Sequence, residues 1–577
     1  MVVGEACHTG RPPTGGVRLG KHSAGRIILS RPLQHSAPLS ESIPYSLYVL
    51  GALRCAPVLA MALHASRDQA VRSVVVVILA GALEFSLIAF IARTWRAFFL
   101  VGLPFFVLGA LYAGYTYMYG SPPGRSIAFI LLTTSPEELL GALVLPQVRI
   151  PALVLVTLVV LYGILAWRLP RTLSITFRGA TRTRQVVLAM LLPIAAYAAW
   201  NPAEMIDGAS YNPTPGSVLF FAGTMPLANQ TLHGSQVVKV PYHAHRDGNE
   251  EVHVLVLGES ARRASWSVYG YGRPTTPYLD RLKGEAVFLQ NAMADANLTT
   301  WAVPIVLSGV PPETFVNTPI HGNIVDLAKE AGYSTAWLLN QDITISLEVG
   351  IDADRTIYPP DFKANIMDRH TLDGALLPGY GRELERAGHA RFIGIHMMGS
   401  HWEYYRRYPE SFAKFGSSNG LNILSIFLEG DKVEAGVADT YDNSVLYTDW
   451  FLQQIIEPLR RLTVPATVTF FPDHGEDLQT FDGESGHGAP KYTRHAFEIP
   501  AFVWTNAAYA RAHPQQVAAL QANAAKEIRS HDLFGTLAEL MGISWPGQDP
   551  GRSFASGQFS PDTNAKIIAG GKLMTRP

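Results

Sequence analysis

Residues 252–260 read VHVLVLGES, and residues 467–476 read TVTFFPDHGE. Each segment opens with a short apolar run containing β-branched residues and then reaches a glycine or a proline, the pattern of a strand buried in a sheet. Similar runs at residues 334–338 and 392–396 alternate with helical patterns such as the one at residues 444–458. This alternation predicts a mostly parallel sheet with helices on both faces, and the ligands of such sheets bind beyond the carboxyl ends of the strands.

Acidic and imidazole side chains directly follow these two strand patterns. Glu259 follows the first, and Asp473 and His474 follow the second. A single carboxylate after a strand is commonly a turn or helix cap, but the three side chains together form an oxygen and nitrogen set suited to zinc or manganese. Thr299 and Thr300 supply hydroxyls about forty residues after Glu259, and a divalent cation can turn a hydroxyl into an attacking alkoxide. Spacing alone leaves the choice of nucleophile open.

Length and composition divide the chain into two parts. The 577 residues exceed one ordinary core, and only 16% of them are charged, against roughly 25% in soluble proteins. The apolar excess lies before Trp200, so a membrane part followed by a soluble part is predicted. A formal net charge of −1 excludes a whole-chain field that would attract nucleic acid. Both cysteines, Cys7 and Cys55, precede Trp200, so no disulfide forms within the soluble part.

Five apolar stretches in the first 200 residues predict five transmembrane helices, because about 20 helical residues cross a bilayer. They lie at residues 43–63, 73–91, 97–117, 151–167 and 186–200. Buried core helices of a soluble protein are the alternative, but too little polar sequence is present to cover five of them. Arginine and lysine residues concentrate in the N-terminal segment and in the loops on the same side of the membrane as that segment. The positive-inside rule makes that side cytoplasmic, and an odd number of spans then places everything after Trp200 outside.

The sequence therefore predicts four segments. Residues 1–42 form a disordered cytoplasmic tail, and residues 43–200 form the transmembrane domain. Residues 201–248, rich in proline, glycine, asparagine and threonine, form a linker at the membrane interface. Residues 249–577 form the extracytoplasmic domain.

Seven motifs in the second half of the chain occur in the same order as in a known enzyme family. They are VLVLGESARRASWSVYGYGRPTTPYL at 254–279, NQ at 340–341, HMMGSH at 396–401 leading to YP at 408–409, YDNSVLYTD at 441–449, DHGE at 473–476, GHG at 486–488 and EIPAFVW at 498–504. Together with the five-helix anchor, this series resembles the bacterial phosphoethanolamine transferases that modify lipid A or the lipopolysaccharide core, within the alkaline phosphatase and sulfatase superfamily. The resemblance covers roughly residues 250–545. It implies a transmembrane domain of five helices and an α/β catalytic domain of the alkaline-phosphatase/sulfatase type with a central, mostly parallel sheet.

The resemblance also implies a metal site. It makes Glu259, Asp473 and His474 ligands of one catalytic zinc ion, with Thr299 as the fourth ligand and the nucleophile. Manganese is the less favoured ion in that place, and a second zinc ion stays open.

Three further residues take substrate-binding roles by the same resemblance. His401 and His487 are similar to histidines that hold the phosphoryl group or a second zinc ion, and Asn340 is similar to a residue that contacts the substrate. Histidines in an apolar setting are more often core residues satisfied by hydrogen bonds. These two lie in matched motifs beside glycine and serine, which favours the functional interpretation.

On this resemblance the chain is expected to transfer phosphoethanolamine from phosphatidylethanolamine to lipopolysaccharide, or to another cell-envelope glycan, through a covalent phospho-threonine. Members that modify lipid A brace this domain with disulfides, whereas this chain has no cysteine there. The GES and TTP triplets at 258–260 and 275–277 look more like the branch that modifies core sugars. A core sugar is therefore the expected acceptor rather than lipid A.

The expected location is the cell inner membrane, with several spans in contact with lipid and the catalytic domain in the periplasm. The protein is expected to be a monomer that binds no nucleic acid. Two alternatives stay open, namely a phosphoglycerol transferase with the same nucleophile chemistry and a catalytically inactive binding protein. Sulfatase activity is disfavoured, because NLTTW at 297–301 does not fit the Cys/Ser-x-Pro-x-Arg motif of those enzymes.

Overall fold

The fold is taken from a computed structural model, which describes residues 45–64, 88, 92–119, 146–175, 239–248, 250–316, 320–341, 349–360, 371–386, 388–416, 430–478, 485–489 and 491–576. The soluble part is built around a seven-stranded sheet. In chain order its strands are β1 (Val252–Gly258), β2 (Ala286–Leu289), β3 (Ser334–Leu339), β4 (Arg355–Ile357), β5 (Arg391–His396), β6 (Ala466–Pro472) and β7 (Ala501–Thr505).

Across the sheet the strands follow the order β2-β7-β6-β1-β5-β3-β4. β1 pairs in parallel with β5 and β6, and β3 pairs in parallel with β4 and β5. β7 alone runs antiparallel to both of its neighbours, β2 and β6. The predicted sheet is confirmed as a mixed one, parallel except for this strand.

The register of the central strands brings the predicted metal-binding segments side by side. Gly258, the last residue of β1, pairs with Pro472, the last residue of β6. The Asp473 N–H donates to the Gly258 carbonyl with an N···O distance of 3.1 Å. Glu259 and Asp473 therefore start from neighbouring positions on the carboxyl edge of the sheet, and β5 ends beside them at His396.

Side chains of β1 alternate between two apolar cores, one on each face of the sheet. Leu255 belongs to one core, and Val254 and Val256 belong to the other. Every residue of β1 is buried, because helices cover both faces, and this explains the near-continuous apolar run. Gly394 in β5 is required by this packing, since a Cβ there would lie 2.1 Å from the Trp337 ring.

Helices and short 3₁₀ turns surround the sheet. The helices of the soluble part are Pro277–Arg281, Thr299–Ser308, Pro312–Phe315, Ile324–Glu330, Leu377–Leu384, Gly430–Arg460, Arg494–Phe497, Ala507–Ala512, Pro514–Asn523 and Asp532–Leu540. The 3₁₀ turns are Arg263–Ser265, Ser267–Tyr269, Asp373–Leu376, Tyr404–Arg406, Glu410–Phe412 and Pro550–Arg552. Gly430–Arg460, named here the long helix, contains the predicted helix at 444–458 and extends it toward the N-terminus.

Four small strand pairs lie outside the main sheet. They are His245–Arg246 with Ile543–Ser544, Asn291–Met293 with Glu527–Arg529, Asp477–Leu478 with Ser485–Gly486, and Ile567–Ala569 with Lys572–Met574. The first pair and the two contacts that follow place residues 239–246, in the predicted linker, against the domain built around the seven-stranded sheet. The Glu330 carboxylate accepts hydrogen bonds from the N–H groups of Tyr242 and Ala244, at 2.8 and 3.1 Å. Lys239 forms an ion pair with Asp326 at 2.8 Å.

The described residues of the membrane part form the helices Tyr45–His64, Trp95–Val101, Leu103–Tyr119 and Pro146–Arg168. Among the described residues, one helix is both long and apolar enough to cross a membrane, over Arg149–Arg168 with a mean hydropathy of 2.4. Val154, Val156 and Val160 on this helix are more than half exposed, as lipid contact requires. Almost all of the stretch at 73–91 and all of the stretch at 186–200 lie outside the described residues, so the count of five spans stays a prediction.

A buried ion pair joins two segments of the soluble part. Asp295 accepts two hydrogen bonds from the Arg529 guanidinium, at 2.8 and 2.6 Å. It also accepts one from the His531 backbone N–H at 2.9 Å, and its Oδ2 lies 2.7 Å from the His531 ring. Burial alone would raise the pKa of Asp295, but His531 and Arg529 outweigh it and lower that pKa below its usual value. Asp295 is therefore ionised and fully compensated.

Replacing Arg529 with methionine leaves the Asp295 carboxylate buried without the guanidinium that donates two of its hydrogen bonds. We expect the free energy of unfolding of the domain built around the sheet to fall by about 3–5 kcal/mol, measured by urea denaturation with tryptophan fluorescence. Arg494→Met is the matched control, because the Arg494 side chain is 65% exposed in its pair with Glu498 and such pairs contribute about 0–1 kcal/mol. Equal losses in the two variants would contradict the assignment of this stabilisation to the buried pair.

Candidate metal centre

The three predicted metal ligands converge at the carboxyl edge of the sheet. Glu259, Asp473 and His474 each offer one ligand atom, and these atoms lie within 4.8 Å of one another. His474 Nε2 is 3.3 Å from Asp473 Oδ2 and 3.7 Å from Glu259 Oε1. All three side chains are buried, so their charges act on one another with little screening by water.

The electrostatics of this cluster fit a divalent cation. Burial, followed by the neighbouring Asp473 carboxylate, raises the pKa of Glu259 well above its usual value, and burial also raises the pKa of Asp473. Burial and His487 lower the pKa of His474 to about 3, so its imidazole is neutral, as a metal ligand must be. Asp473 Oδ2 is buried without a hydrogen-bond partner among the described residues. The cluster thus offers two carboxylates and one imidazole, and one of the carboxylate oxygens has no hydrogen-bond partner there. This donor set is typical of zinc.

Thr299 brings a hydroxyl to the same point. It is the first residue of the helix Thr299–Ser308. Its Oγ1 lies 3.3 Å from Glu259 Oε2 and 3.3 Å from His474 Nε2. A cation held by the cluster therefore has this hydroxyl within reach as a fourth ligand.

The turn after β1 orients both carboxylates through Ser260. The Ser260 hydroxyl donates to Glu259 Oε1 at 2.7 Å, and its backbone N–H donates to Asp473 Oδ1 at 3.2 Å. Ser260 has a φ of +52°, in the left-handed region that residues with a side chain seldom adopt. One strained residue thus fixes the relative orientation of two candidate ligands.

Asn340 and its neighbour Gln341 support different parts of the candidate site, and the predicted contact of Asn340 with the substrate stays a prediction. The Asn340 side chain is buried and donates to Asp373 Oδ1 at 2.8 Å and to the Thr371 carbonyl at 3.0 Å. Asp373 in turn accepts the N–H groups of residues 398 and 399, so Asn340 supports the loop before His401. Gln341, which the sequence analysis gave no role, donates to Glu259 Oε2 at 2.9 Å. Its place in the matched NQ motif at the end of β3 was the available signal.

His401 and His487 lie beside the cluster. The ring centroid of His487 is 4.4 Å from that of His474 and 6.0 Å from that of His401. The Nδ1 atom of His487 is 2.9 Å from Glu476 Oε2, and the Nδ1 atom of His401 is 2.6 Å from the carbonyl of the following residue. These contacts fix the orientation of both rings.

The surroundings of these two histidines push their pKa values apart. Burial, and then the charge of Arg407, lowers the pKa of His401 well below its usual value. Burial also acts to lower the pKa of His487, but the Glu476 carboxylate outweighs it and raises that pKa. His401 is therefore suited to act as a neutral group and His487 as a protonated one.

Comparison with known proteins agrees with this geometry. The sequence model of the Sulfatase family matches residues 252–543, about half of the chain. The chain belongs to the sulfatase family. The matched region contains all seven strands of the sheet and the cluster of Glu259, Asp473 and His474.

Relatives of this sulfatase-family protein carry the name phosphoethanolamine transferase, which confirms the resemblance predicted from the motifs. Phosphoethanolamine transferase EptC of Escherichia coli (strain K12) is 27% identical over an alignment of 344 residues that covers 55% of this chain and 55% of that protein. The chain thus spans about half the length of the first curated relatives that it matches.

Solved structures of such proteins share the fold. The zinc complex of the C-terminal periplasmic domain of EcEptC from Escherichia coli aligns with a TM-score of 0.51 and 24% identity, over 59% of this chain and 96% of that one. The integral membrane protein lipooligosaccharide phosphoethanolamine transferase A (EptA) from Neisseria meningitidis aligns with a TM-score of 0.64 and 21% identity, over 88% of this chain and 97% of that one. The second alignment supports a transmembrane domain joined to an alkaline-phosphatase-like domain.

Proposed function

We propose that this chain transfers phosphoethanolamine from phosphatidylethanolamine to a lipopolysaccharide acceptor, a core sugar rather than lipid A, with Thr299 as the nucleophile. The observation that carries the proposal is the convergence of the Thr299 hydroxyl with Glu259, Asp473 and His474 in one buried cluster. A binding module has no need of a nucleophile held at such a donor set. The names of the relatives support the chemistry, and the missing cysteines in the catalytic half support the choice of acceptor.

Zinc is the cofactor that we propose for this cluster, held by Glu259, Asp473, His474 and Thr299. When bound, it lowers the pKa of a neighbouring hydroxyl and offsets charge on the phosphoryl oxygens. The zinc complex of the EptC domain supports this choice over manganese. A second zinc ion beside His401 and His487 is an outcome that metal analysis can decide.

Transfer proceeds in two displacements at phosphorus. Thr299 Oγ1 first attacks the donor, its bond to phosphorus forms, and the bond to the diacylglycerol oxygen breaks. Phosphoethanolamine is then esterified to Thr299, and the leaving oxygen has gained the proton that the threonine hydroxyl has lost. In the second displacement an acceptor hydroxyl attacks the same phosphorus, and Thr299 regains a proton as it leaves. Ping-pong kinetics are the expected signature.

The two histidines serve these proton movements. His487, whose pKa is raised by Glu476, is suited to give a proton to the leaving diacylglycerol oxygen and to take one back from the acceptor. His401, which is neutral, is suited to accept a hydrogen bond from the substrate. Asn340 holds the loop before His401, and we propose that it also contacts the substrate, as the resemblance implies.

The proposed setting is the inner membrane, with five helices at residues 43–200, a cytoplasmic tail at 1–42 and the catalytic domain in the periplasm. A donor whose acyl chains stay in the bilayer presents its head group only to a site held at that surface. The protein acts as a monomer in this setting. The alignment with the integral membrane protein from Neisseria meningitidis supports the membrane anchor.

Donor labelling tests the proposed reaction. Membranes with the purified full chain receive head-group-labelled phosphatidylethanolamine or phosphatidylglycerol, and mass spectrometry locates the label on lipopolysaccharide. We expect label from phosphatidylethanolamine on a core sugar. Label from phosphatidylglycerol alone would make the chain a phosphoglycerol transferase, and absence of both transfer and stoichiometric zinc would make it a binding protein.

Gln341→Leu tests the support given to Glu259. The change keeps the volume of the side chain and removes the amide that donates to Glu259 Oε2. We expect zinc affinity, measured by competition with a fluorescent chelator, to fall about 10–100-fold, as when other partners of metal ligands are lost. Gln290→Leu is the control, since its amide donates to the Phe288 carbonyl at an exposed position. Unchanged affinity in the Gln341 variant would show that this hydrogen bond does not tune the site.

A further inference from the structure

The motif YDNSVLYTD at 441–449 received no role in the sequence analysis, yet its first residue contacts the turn of the candidate metal centre. Tyr441 lies on the long helix and is buried. Its hydroxyl donates to the Ser260 carbonyl at 2.7 Å and accepts from the Arg262 N–H at 2.8 Å. A single phenol oxygen thus satisfies two buried backbone groups on either side of the turn.

These two hydrogen bonds hold a conformation that the turn would not adopt alone. Ser260 has a φ of +52°, and a residue with a side chain in this region costs about 1–3 kcal/mol. Without the Tyr441 hydroxyl, the Ser260 carbonyl and the Arg262 N–H lose these hydrogen bonds inside the protein, which adds a further cost. We therefore expect the turn to relax to a negative φ at Ser260 when this hydroxyl is removed.

Relaxation of the turn would change the orientation of two candidate ligands, Glu259 and Asp473. The Ser260 N–H donates a hydrogen bond to Asp473, and the Ser260 hydroxyl donates one to Glu259. The N–Cα bond of Ser260 separates these two donors, so a change of φ alters their directions relative to each other. The two carboxylates would then lose the orientation that brings their oxygens to one point.

We propose that Tyr441 is a positioning residue for the metal centre, because its hydroxyl holds Ser260 in the left-handed conformation that directs Glu259 and Asp473 toward one cation. The proposal rests on the metal site of the proposed function. It does not depend on which donor or acceptor the enzyme uses.

The position of the hydroxyl is itself fixed by packing. The Tyr441 ring meets the Tyr404 ring edge to face, with centroids 4.9 Å apart. One helical turn later, the Ser444 hydroxyl donates to the Ser400 hydroxyl at 2.9 Å, and the Ser400 N–H donates to the Glu259 carbonyl at 3.0 Å. This face of the long helix therefore reaches the turn after β1 in two places, directly at Ser260 and through Ser400 at the Glu259 carbonyl.

Tyr441→Phe in the full chain tests the proposal, because it removes the hydroxyl and keeps the ring. Zinc affinity is measured by chelator competition, and the melting temperature is recorded for each variant. Tyr380→Phe is the matched control: Tyr380 is buried and its hydroxyl donates to the Ile455 carbonyl of the same helix, at 2.8 Å. We expect zinc affinity to fall about 10–100-fold in the Tyr441 variant and less than about 2-fold in the control.

A double-mutant cycle with Ser260→Gly separates positioning from general destabilisation. Glycine adopts a positive φ without strain, so the turn no longer needs the Tyr441 hydroxyl to keep this conformation. Tyr441→Phe should then lower zinc affinity by less than about 3-fold in the glycine background, which appears as coupling between the two sites. Wild-type zinc affinity in Tyr441→Phe, an equal loss in Tyr380→Phe, or no coupling in the cycle would each overturn the proposal.

Transfer kinetics supply a second readout. For a positioning residue, we expect kcat to fall while KM for the lipid donor changes by less than about 2-fold, and excess zinc should restore part of kcat. Zinc binding and transfer are measured separately, so a wild-type chain that binds zinc but transfers nothing would reject the proposed function and leave the role of Tyr441 intact.

Discussion

Thr299→Ala is expected to abolish transfer, with a loss on the order of 10⁴-fold or more, because removal of a covalent nucleophile leaves only binding and electrostatic effects. The three other candidate ligands are unchanged, so the variant should still bind zinc. The measurement is incorporation of label from phosphatidylethanolamine, followed by mass spectrometry of the Thr299 peptide. In the wild-type chain this peptide should carry phosphoethanolamine when acceptor is left out.

Two further variants sharpen this result. Thr299→Ser keeps a hydroxyl at the same position and should retain measurable transfer. Ser308→Ala, at the other end of the same helix, removes a hydroxyl that donates to the Pro304 carbonyl and should leave transfer unchanged. Transfer by Thr299→Ala at the wild-type rate, or an unmodified Thr299 peptide, would remove this residue from its role.

Asp473→Asn carries the second large effect. The amide keeps the shape of the side chain but removes the negative charge, and Asp473 Oδ2 is the oxygen without a hydrogen-bond partner among the described residues. We expect zinc affinity to fall by more than the roughly 10–100-fold that follows from the loss of an indirect partner. Transfer should fall with it. Dialysis of the wild-type chain against a chelator should give the same loss, reversed by added zinc.

The sign of the stability change distinguishes this explanation from simple damage to the fold. Without metal, Glu259 and Asp473 bury two carboxylates together, and removal of one charge relieves that repulsion. The zinc-free variant should therefore melt at a higher temperature than the zinc-free wild type, whereas only the wild type should gain stability from added zinc. Asp449→Asn is the control, because Asp449 is a buried carboxylate that accepts the N–H groups of Tyr278 and Leu279. It should leave the response to zinc intact.

The sequence was informative wherever a single residue lies at the end of a buried strand. Glu259 and Asp473 follow apolar runs whose direction and parallel pairing bring their ends together, so their proximity could be inferred. The antiparallel β7 could not be inferred, because an apolar run reads the same in either direction and its orientation depends on the connection from β6.

The direction of individual side chains could not be predicted from the sequence either. Asn340 and Gln341 are adjacent, yet the Asn340 amide donates to Asp373 and the Gln341 amide donates to Glu259. The sequence does not indicate which of the two faces Glu259. The left-handed Ser260 gave no signal either, since glycine is the residue that normally marks such a conformation. Its conformation depends on Tyr441, 181 residues later.

The contact of residues 239–248 with the sulfatase-family domain decides where a recombinant fragment should start. Truncation at residue 249 would remove the N–H groups of Tyr242 and Ala244 that donate to the Glu330 carboxylate. It would also remove Lys239, which forms an ion pair with Asp326. It would also uncover Phe534, against which the Tyr242 ring packs with centroids 5.9 Å apart. A crystallisable, soluble version should therefore retain the chain from Lys239 onward, and the shorter product is expected to aggregate more readily.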